Sequence, residues 1–323
     1  MKKALNKIAL LIFTLFVFKQ SFSTENCLIN DSNIHYAVNL WMTDQNQAEI
    51  DYGHISEWDT SCVTNMSDLF KDYPEFNNNI QSWNTSNVTN MARMFHSNMN
   101  SPHTFNQPIG NWNTSNVLSM SSMFEYATSF NQNIDTWDTS NVTDMSRMFY
   151  RAFEFNSPVA SWDTGNVENM SFMFTGYHVI EHKFNQPLAN WDTSNVTDMT
   201  RMFFYSQFNQ DIGNWDVSNV TSMNSLFWHT PFNQPIGGWD VSNVTDMSGV
   251  FSWTPFNQDI SSWDVGNVNT MNMLFNSTPF NQDISSWDVS NVTNTQEMFR
   301  MSSFNYDISN WDVSNITDMN QMF

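Results

Sequence analysis

The chain has 323 residues, of which only 13% are charged, yet Asp and Glu outnumber Lys and Arg by 32 to 11 for a formal net charge of −21. So acidic a surface excludes nucleic acid and anionic membranes as expected partners, because both would be repelled. Length alone would suggest two or more globular domains, but the sequence is repetitive, and repeats that touch only their neighbours make one elongated domain.

The first stretch carries Lys2, Lys3 and Lys7, then an apolar run over residues 8–18, then Ser21-Phe22-Ser23. This order predicts a secretory signal peptide over residues 1–23, with an extracellular or cell-surface destination. The run falls short of the roughly 20 residues that a spanning helix needs, so the mature chain is expected to have no membrane span. The only cysteines, Cys27 and Cys62, stand at the start of the mature chain, in a context that permits oxidation. A disulfide between them is one expectation. The other is that Cys62 fills the column held elsewhere by Asn87 and Asn219.

Residues 24–50 read as an N-terminal cap. Ile34, Val38, Trp41 and Met42 recur at helical spacing behind Asp31 or Ser32 as a helix cap, which predicts a helix near 31–42 covering the first repeat. Trp41 then belongs to the cap's core.

From residue 51 to 323 the chain is about eleven near-copies of Phe232–Phe251, FNQPIGGWDVSNVTDMSGVF. The Trp recurs from Trp58 to Trp311 at spacings of 25, 29, 25, 25, 29 and then a constant 24. A period in that range predicts a solenoid, in which one repeat cannot bury its apolar faces alone but stacked repeats can. Within each repeat, Ile-x-x-Trp-Asp-Val/Thr is expected to form a short parallel strand. Asn243, with Asp246 three residues on, reads as a helix cap, and Val244, Met247, Val250 and Phe251 as the inward face of a short helix or 3₁₀ turn. Two repeats carry extra residues at the same point, 96–104 and 175–183, which should be surface loops on one edge. The last repeat ends at Phe323 with its face uncovered, which predicts a missing terminal cap.

Recurring polar residues have structural readings. Trp239, Asp240, Asn243, Met247 and Phe251 typify the columns. The carboxylates of the Asp240 column would repel one another, so each is expected to accept backbone N–H bonds in the following turn, with calcium between repeats as the alternative. The Asn243 column should be a buried amide ladder, and Met145 and Met148 core. The Asn-x-Ser/Thr sequons, such as Asn141-Val-Thr143, follow from the period and say little about glycosylation.

Two features could carry function. His178-Val-Ile-Glu181-His182 fits the inverted zinc-peptidase pattern, so His178, Glu181 and His182 are weak metal candidates that lack a third ligand and a cleft. The other histidines fall in no repeating column. Aromatics outside the strict period, Tyr150, Phe153, Tyr177, Phe204, Tyr205, Trp228 and Trp253, gather in the segment linking repeats and could form a binding edge.

The unit F-N-x-x-I-x-x-W-D-V/T-S-N-V-T-x-M-x-x-M-F resembles the repeat of the BspA-like leucine-rich-repeat surface proteins, over roughly residues 34–323. The resemblance implies a leucine-rich-repeat-like solenoid that is secreted or surface-bound and binds an extracellular protein or glycan, with no catalytic residues and no cofactor to carry over. A passive matrix protein stiffened by calcium is the competing expectation, and a zinc hydrolase the weakest.

Overall fold

The computed structural model describes residues 27–323; the expected signal peptide lies outside the described residues. Three helical elements open it: α1 (Ile34–Thr43), α2 (Gln45–Tyr52) and a 3₁₀ turn (Ile55–Glu57). α1 forms because Ile34, Ala37, Val38 and Trp41 bury one face. Its Trp41 meets Trp58 edge-on, with ring centroids 6.3 Å apart, and so begins the tryptophan column. The sequence pattern does not announce α2. Asp44 caps it by accepting the Gln47 N–H at 3.1 Å, and only Ala48 is buried.

Asp31 and Ser32 do not cap α1. Asn33 precedes that helix and makes no side-chain cap bond. The Asp31 carboxylate instead accepts the Thr64 N–H (2.8 Å), the Thr64 hydroxyl (2.6 Å) and the Asn65 N–H (3.0 Å). In later repeats the amide equivalent to Thr64 is bonded to the preceding repeat, as when Thr89 donates to the Thr64 carbonyl at 2.8 Å. The first repeat has no predecessor, so Asp31 stands in for the acceptor that a preceding repeat would supply. A disulfide between Cys27 and Cys62, with Cα atoms 6.1 Å apart, ties this segment to the first repeat.

Beyond residue 57, the described residues contain no helix and no strand longer than a single bridge. The expected strand over Ile-x-x-Trp-Asp-Val is a pair of turns. The Trp239 N–H returns to the Ile236 carbonyl at 3.1 Å, and the Asp240 carboxylate takes the Ser242 N–H at 3.0 Å, so these amides are used locally. Side chains make the links to the neighbouring repeat there. The Trp239 Nε1 donates to the Ile212 carbonyl at 3.2 Å, and Asn243 Nδ2 donates to the Ser218 carbonyl at 2.7 Å.

The backbone pairing lies instead where a short helix or 3₁₀ turn was expected. Parallel bridges join Asn65, Asn90, Ser119, Asp144, Asn169, Asp198, Ser222, Asp246, Thr270, Asn294 and Asp318 in succession. In one repeat the N–H groups of Met247, Gly249, Phe251 and Trp253 donate to Thr270, Asn272, Leu274 and Asn276 of the next, at 2.9–3.1 Å. The alternate amides of Val250, Ser252 and Thr254 close local turns on Met247, Gly249 and Phe251. A helix would have used every amide internally and left none to share. Positive φ at one position shared by every repeat, Asp68, Arg93, Ser122, Arg147, Phe172, Arg201, Ser225, Gly249, Met273, Glu297 and Gln321, gives the chain this alternation. It costs a non-glycine residue roughly 1 kcal/mol each time. Glycine at 249 has a further reason, since a Cβ there would lie 2.6 Å from the Trp228 ring.

Inside, the apolar columns lie on one another and are buried from Ile55 to Phe299. Trp239 and Trp263 are parallel at 6.5 Å, Phe251 stacks at 3.8 Å on Phe256, which opens the next copy, and at 5.8 Å on Phe275, which closes it. Met145 and Met148 are wholly buried. The Asn of each Phe-Asn pair forms a ladder that the sequence reading passed over: Asn233 Oδ1 accepts the Asn257 N–H at 3.0 Å, and Gln258 adds a second bond to it at 3.0 Å. The Asn243 column is a ladder too, but it is solvent-exposed, not buried.

Candidate binding groove between two hairpins

The functional candidates concentrate on the edge that follows each closing Phe. Of the seven cations among the described residues, Lys71, Arg151, Lys183 and Arg300 follow a closing Phe, and Arg93, Arg147 and Arg201 stand two residues before one. A second left-handed position recurs here, four residues after the first, at Tyr126, Arg151, Tyr205, His229, Trp253, Ser277 and Met301. Of the edge aromatics, Tyr126, Tyr205 and Trp253 share this position, two residues after the closing Phe, whereas Tyr150, Phe153, Tyr177, Phe204 and Trp228 do not.

Both insertions leave the stack here as hairpins, closed by the bridges Asn98↔Ser101 and Tyr177↔Ile180. Gly176 lets the second leave, because a Cβ on it would overlap the Tyr205 carbonyl. Each hairpin is anchored by a buried histidine two residues before the next Phe-Asn, so His103 and His182 are equivalent, contrary to the expectation that the histidines fall in no column. His182 Nε2 meets the Phe149 carbonyl at 3.0 Å and its Nδ1 accepts the Phe184 N–H at 3.2 Å; His103 does the same with Phe70 (3.3 Å) and Phe105 (3.1 Å). These contacts require the neutral ring protonated on Nε2. Burial pushes the pKa of His103 down to about 4 and that of His182 to about 3.

The zinc-peptidase string is thereby taken apart. His182 has no free nitrogen, His178 is exposed at a hairpin tip with its ring against Tyr177, and Glu181 bonds Gln207 and faces His229 at 3.7 Å. Two metal-binding histidines would need to converge, whereas a two-residue hairpin turn sends these in different directions. Among the described residues no group of three or more His, Cys, Asp or Glu is placed to hold a metal ion. In the Asp240 column each carboxylate serves its own turn; side-chain and backbone hydrogen bonds from Ser242 hold the Asp240 pKa below its ordinary value.

Between the hairpins lies a groove of about 340 Å³. Met99 and Pro102 form one wall, Tyr177, Val179 and Ile180 the other, and Tyr126, Arg151 and Phe153 the floor. Met99, Val179 and Ile180 are 52%, 68% and 49% exposed and lie together in one groove. The Arg151 guanidinium is held among three tyrosines, 5.3 Å from the Tyr126 ring centre, 5.0 Å from Tyr150 and 4.4 Å from Tyr177. Its Nη1 donates to the Tyr126 hydroxyl at 2.9 Å, while its buried Nε has no hydrogen-bond partner.

The expected edge residues thus divide. Tyr150 and Tyr177 gather around Arg151. Tyr205, His229 and Trp253 continue as a separate stripe, at 4.4 and 6.3 Å, with Trp228 beside Phe204 at 6.1 Å. Sequence reading missed Tyr126, Arg151 and the hairpin tips. The placing of six of the seven cations within two residues of a closing Phe was the signal that could have found Arg151.

Four overlapping stretches, residues 38–134, 97–183, 178–252 and 229–323, match the family described as "Mycoplasma protein of unknown function, DUF285". The chain belongs to that family. The successive matches establish a tandem-repeat protein of the DUF285 type, whose family description assigns no function. No curated protein and no solved structure matches the chain. Among the described residues, no helix of this DUF285 protein is long and apolar enough to cross a membrane.

Proposed function

We propose that this protein is a non-catalytic binding scaffold, secreted or held at the cell surface, whose stacked repeats form a leucine-rich-repeat-like solenoid related to the BspA-like surface proteins. The observation that carries the reading is the groove at Met99, Arg151 and Val179: exposed apolar side chains and a guanidinium gathered on one edge of an otherwise internally satisfied stack. The recurring Trp, Asp, Asn, Met and Phe residues serve repeat-to-repeat contact. Recognition then belongs to residues that the repeat leaves free to vary, here the connecting segments, as is common for loops on a rigid framework. The ligand class is an extracellular protein or glycan.

Titration of the intact chain against a panel of matrix proteins and oligosaccharides tests this. Saturable binding that weakens on Val179→Asp or Trp253→Ala supports it. The internal use of nearly every recurring side chain also favours a second reading, a passive matrix protein stiffened by calcium. No saturable ligand across the panel, together with a melting temperature that drops on chelation, would favour that reading.

A further inference from the structure

We propose that the groove between the hairpin tips at Met99 and Val179 receives a protein segment in which an aliphatic or aromatic side chain stands next to a carboxylate. The apolar side chain lies between Met99, Phe153, Val179 and Ile180, and the carboxylate meets Arg151. This rests on the binding-scaffold reading and narrows it to one site and one ligand chemistry.

Charge complementarity selects the carboxylate. Five of the seven cations have a carboxylate within ion-pair distance: Arg93 and Lys71 share Asp68 at 2.6 and 3.6 Å, Arg147 meets Glu125 at 3.7 Å, Lys183 meets Glu154 at 2.6 Å and Arg300 meets Glu297 at 3.7 Å. Arg151 and Arg201 have no carboxylate within ion-pair distance among the described residues, although acidic side chains outnumber basic ones three to one. Arg201 lies flat between Phe172 and Phe204, at 5.8 and 5.0 Å, away from the groove. Arg151 forms part of the groove lining and commits only Nη1 to a partner. The tyrosine cage fixes the guanidinium plane, so little conformational entropy remains to be lost when a carboxylate binds.

The remaining lining selects the class of macromolecule. A sugar ring brings several hydroxyls that must exchange water for protein hydrogen bonds. Apart from Arg151, only Thr128 and the phenols of Tyr126 and Tyr177 are at hand, and the Tyr126 hydroxyl already accepts from Arg151. A Leu, Ile or Phe side chain makes no such demand, and a groove of about 340 Å³ can take it with its neighbouring backbone. The hairpins stand three repeats apart, about 14 Å at parallel-strand spacing, enough for a few residues of extended chain to cross.

The experiment is fluorescence titration of the intact chain with labelled short peptides in which a central Leu, Ile or Phe is followed by Asp or Glu. Their Asn and Gln counterparts, and sialic- and glucuronic-acid oligosaccharides, form the comparison arms. Acidic peptides should bind at least about tenfold more tightly than their amides. Arg151→Gln should weaken binding of acidic peptides at least about tenfold more than that of their amides, a difference that general damage to the fold would not produce. Val179→Asp, at an exposed tip, should abolish binding of both with an unchanged melting temperature. Equal binding of acid and amide peptides, or wild-type binding by Val179→Asp, overturns the proposal, as does binding of the oligosaccharides alone. If a panel ligand binds and is insensitive to Val179→Asp, this inference falls while the scaffold reading stands.

Discussion

Two buried histidines show how a single residue can set the acid limit of the fold. His103 and His182 each use both ring nitrogens, one as donor to the closing Phe carbonyl of the preceding repeat and one as acceptor, so protonation breaks a bond and buries a charge. Their folded pKa values, about 4 and about 3, lie below the ordinary 6.5. The unfolded chain therefore takes up protons first, and their contribution, complete above pH 6.5, is lost as pH falls toward 4 and 3. The slope is about 1.4 kcal/mol per pH unit for each histidine. Thermal melts from pH 7.5 to 5 should show a falling midpoint, and the double variant His103→Gln, His182→Gln a flatter profile; a wild-type midpoint constant over that range would refute the assignment. Asp31 acts in the opposite position, at the surface. Desolvation raises its pKa, but the hydrogen bonds from Thr64 and Asn65 together outweigh this and hold it below its ordinary value. Its contribution is present above pH 3.8 and lost as pH falls through the folded pKa. Asp31→Ala should cost about 1 kcal/mol, read by urea unfolding at pH 7, because it removes three hydrogen bonds to a charged acceptor at the ladder's end.

At the scale of elements, the N-terminal segment shows why a stack needs a specific end. α1 supplies an apolar lid, but a lid does not satisfy amides, and the ladder's first donors find Asp31 instead. The disulfide joins Cys27 to Cys62 across a sequence separation of 35, for which chain-entropy estimates give about 3–4 kcal/mol. Repeats in contact only with neighbours transmit such a loss locally. Reduction should therefore speed amide hydrogen exchange in α1 and the first repeat while leaving repeats beyond residue 200 unchanged; uniform acceleration along the chain would show that the stack unfolds as one unit. The hairpins are the other departures from the period. Each replaces a short connection with a longer one anchored by a histidine, and together they create the groove that neither forms alone.

Across the whole molecule, charge is segregated: acidic side chains are spread over the turns, and the few cations lie on one edge. An Asp-capped turn recurs at every repeat from Asp138 onward, with Gly165 and Gly266 in place of Ser in two of them, and hydrogen bonds from Ser140, Ser194, Ser242, Ser290 and Ser314 hold the carboxylates of Asp138, Asp192, Asp240, Asp288 and Asp312 below the ordinary range. At neutral pH these columns repel along the stack. Raising salt from 0.05 to 0.5 M, about 14 to 4 Å in screening length, should raise the melting midpoint by screening that repulsion. A midpoint that falls with salt would mean that the cation edge, not the acidic columns, dominates the electrostatics.

The period, the inward columns and the turn-capping Asp residues are legible in the sequence because burial and local hydrogen bonding act on each repeat alike. A Trp that must lie on the next Trp, or an Asp that must hold its own turn, leaves the same letter at the same place each time. Residues at i, i+3 and i+4 turn inward in a helix and equally in the observed run of turns, so apolar spacing could not tell whether the amides bond within a repeat or to the next one. Only the tertiary structure decided that, since the donors in question pair with residues some 24 positions away. It also decided the groove. Met99, Tyr126, Arg151, Tyr177 and Val179 are drawn from four successive connections of unequal length, and stacking alone makes them neighbours.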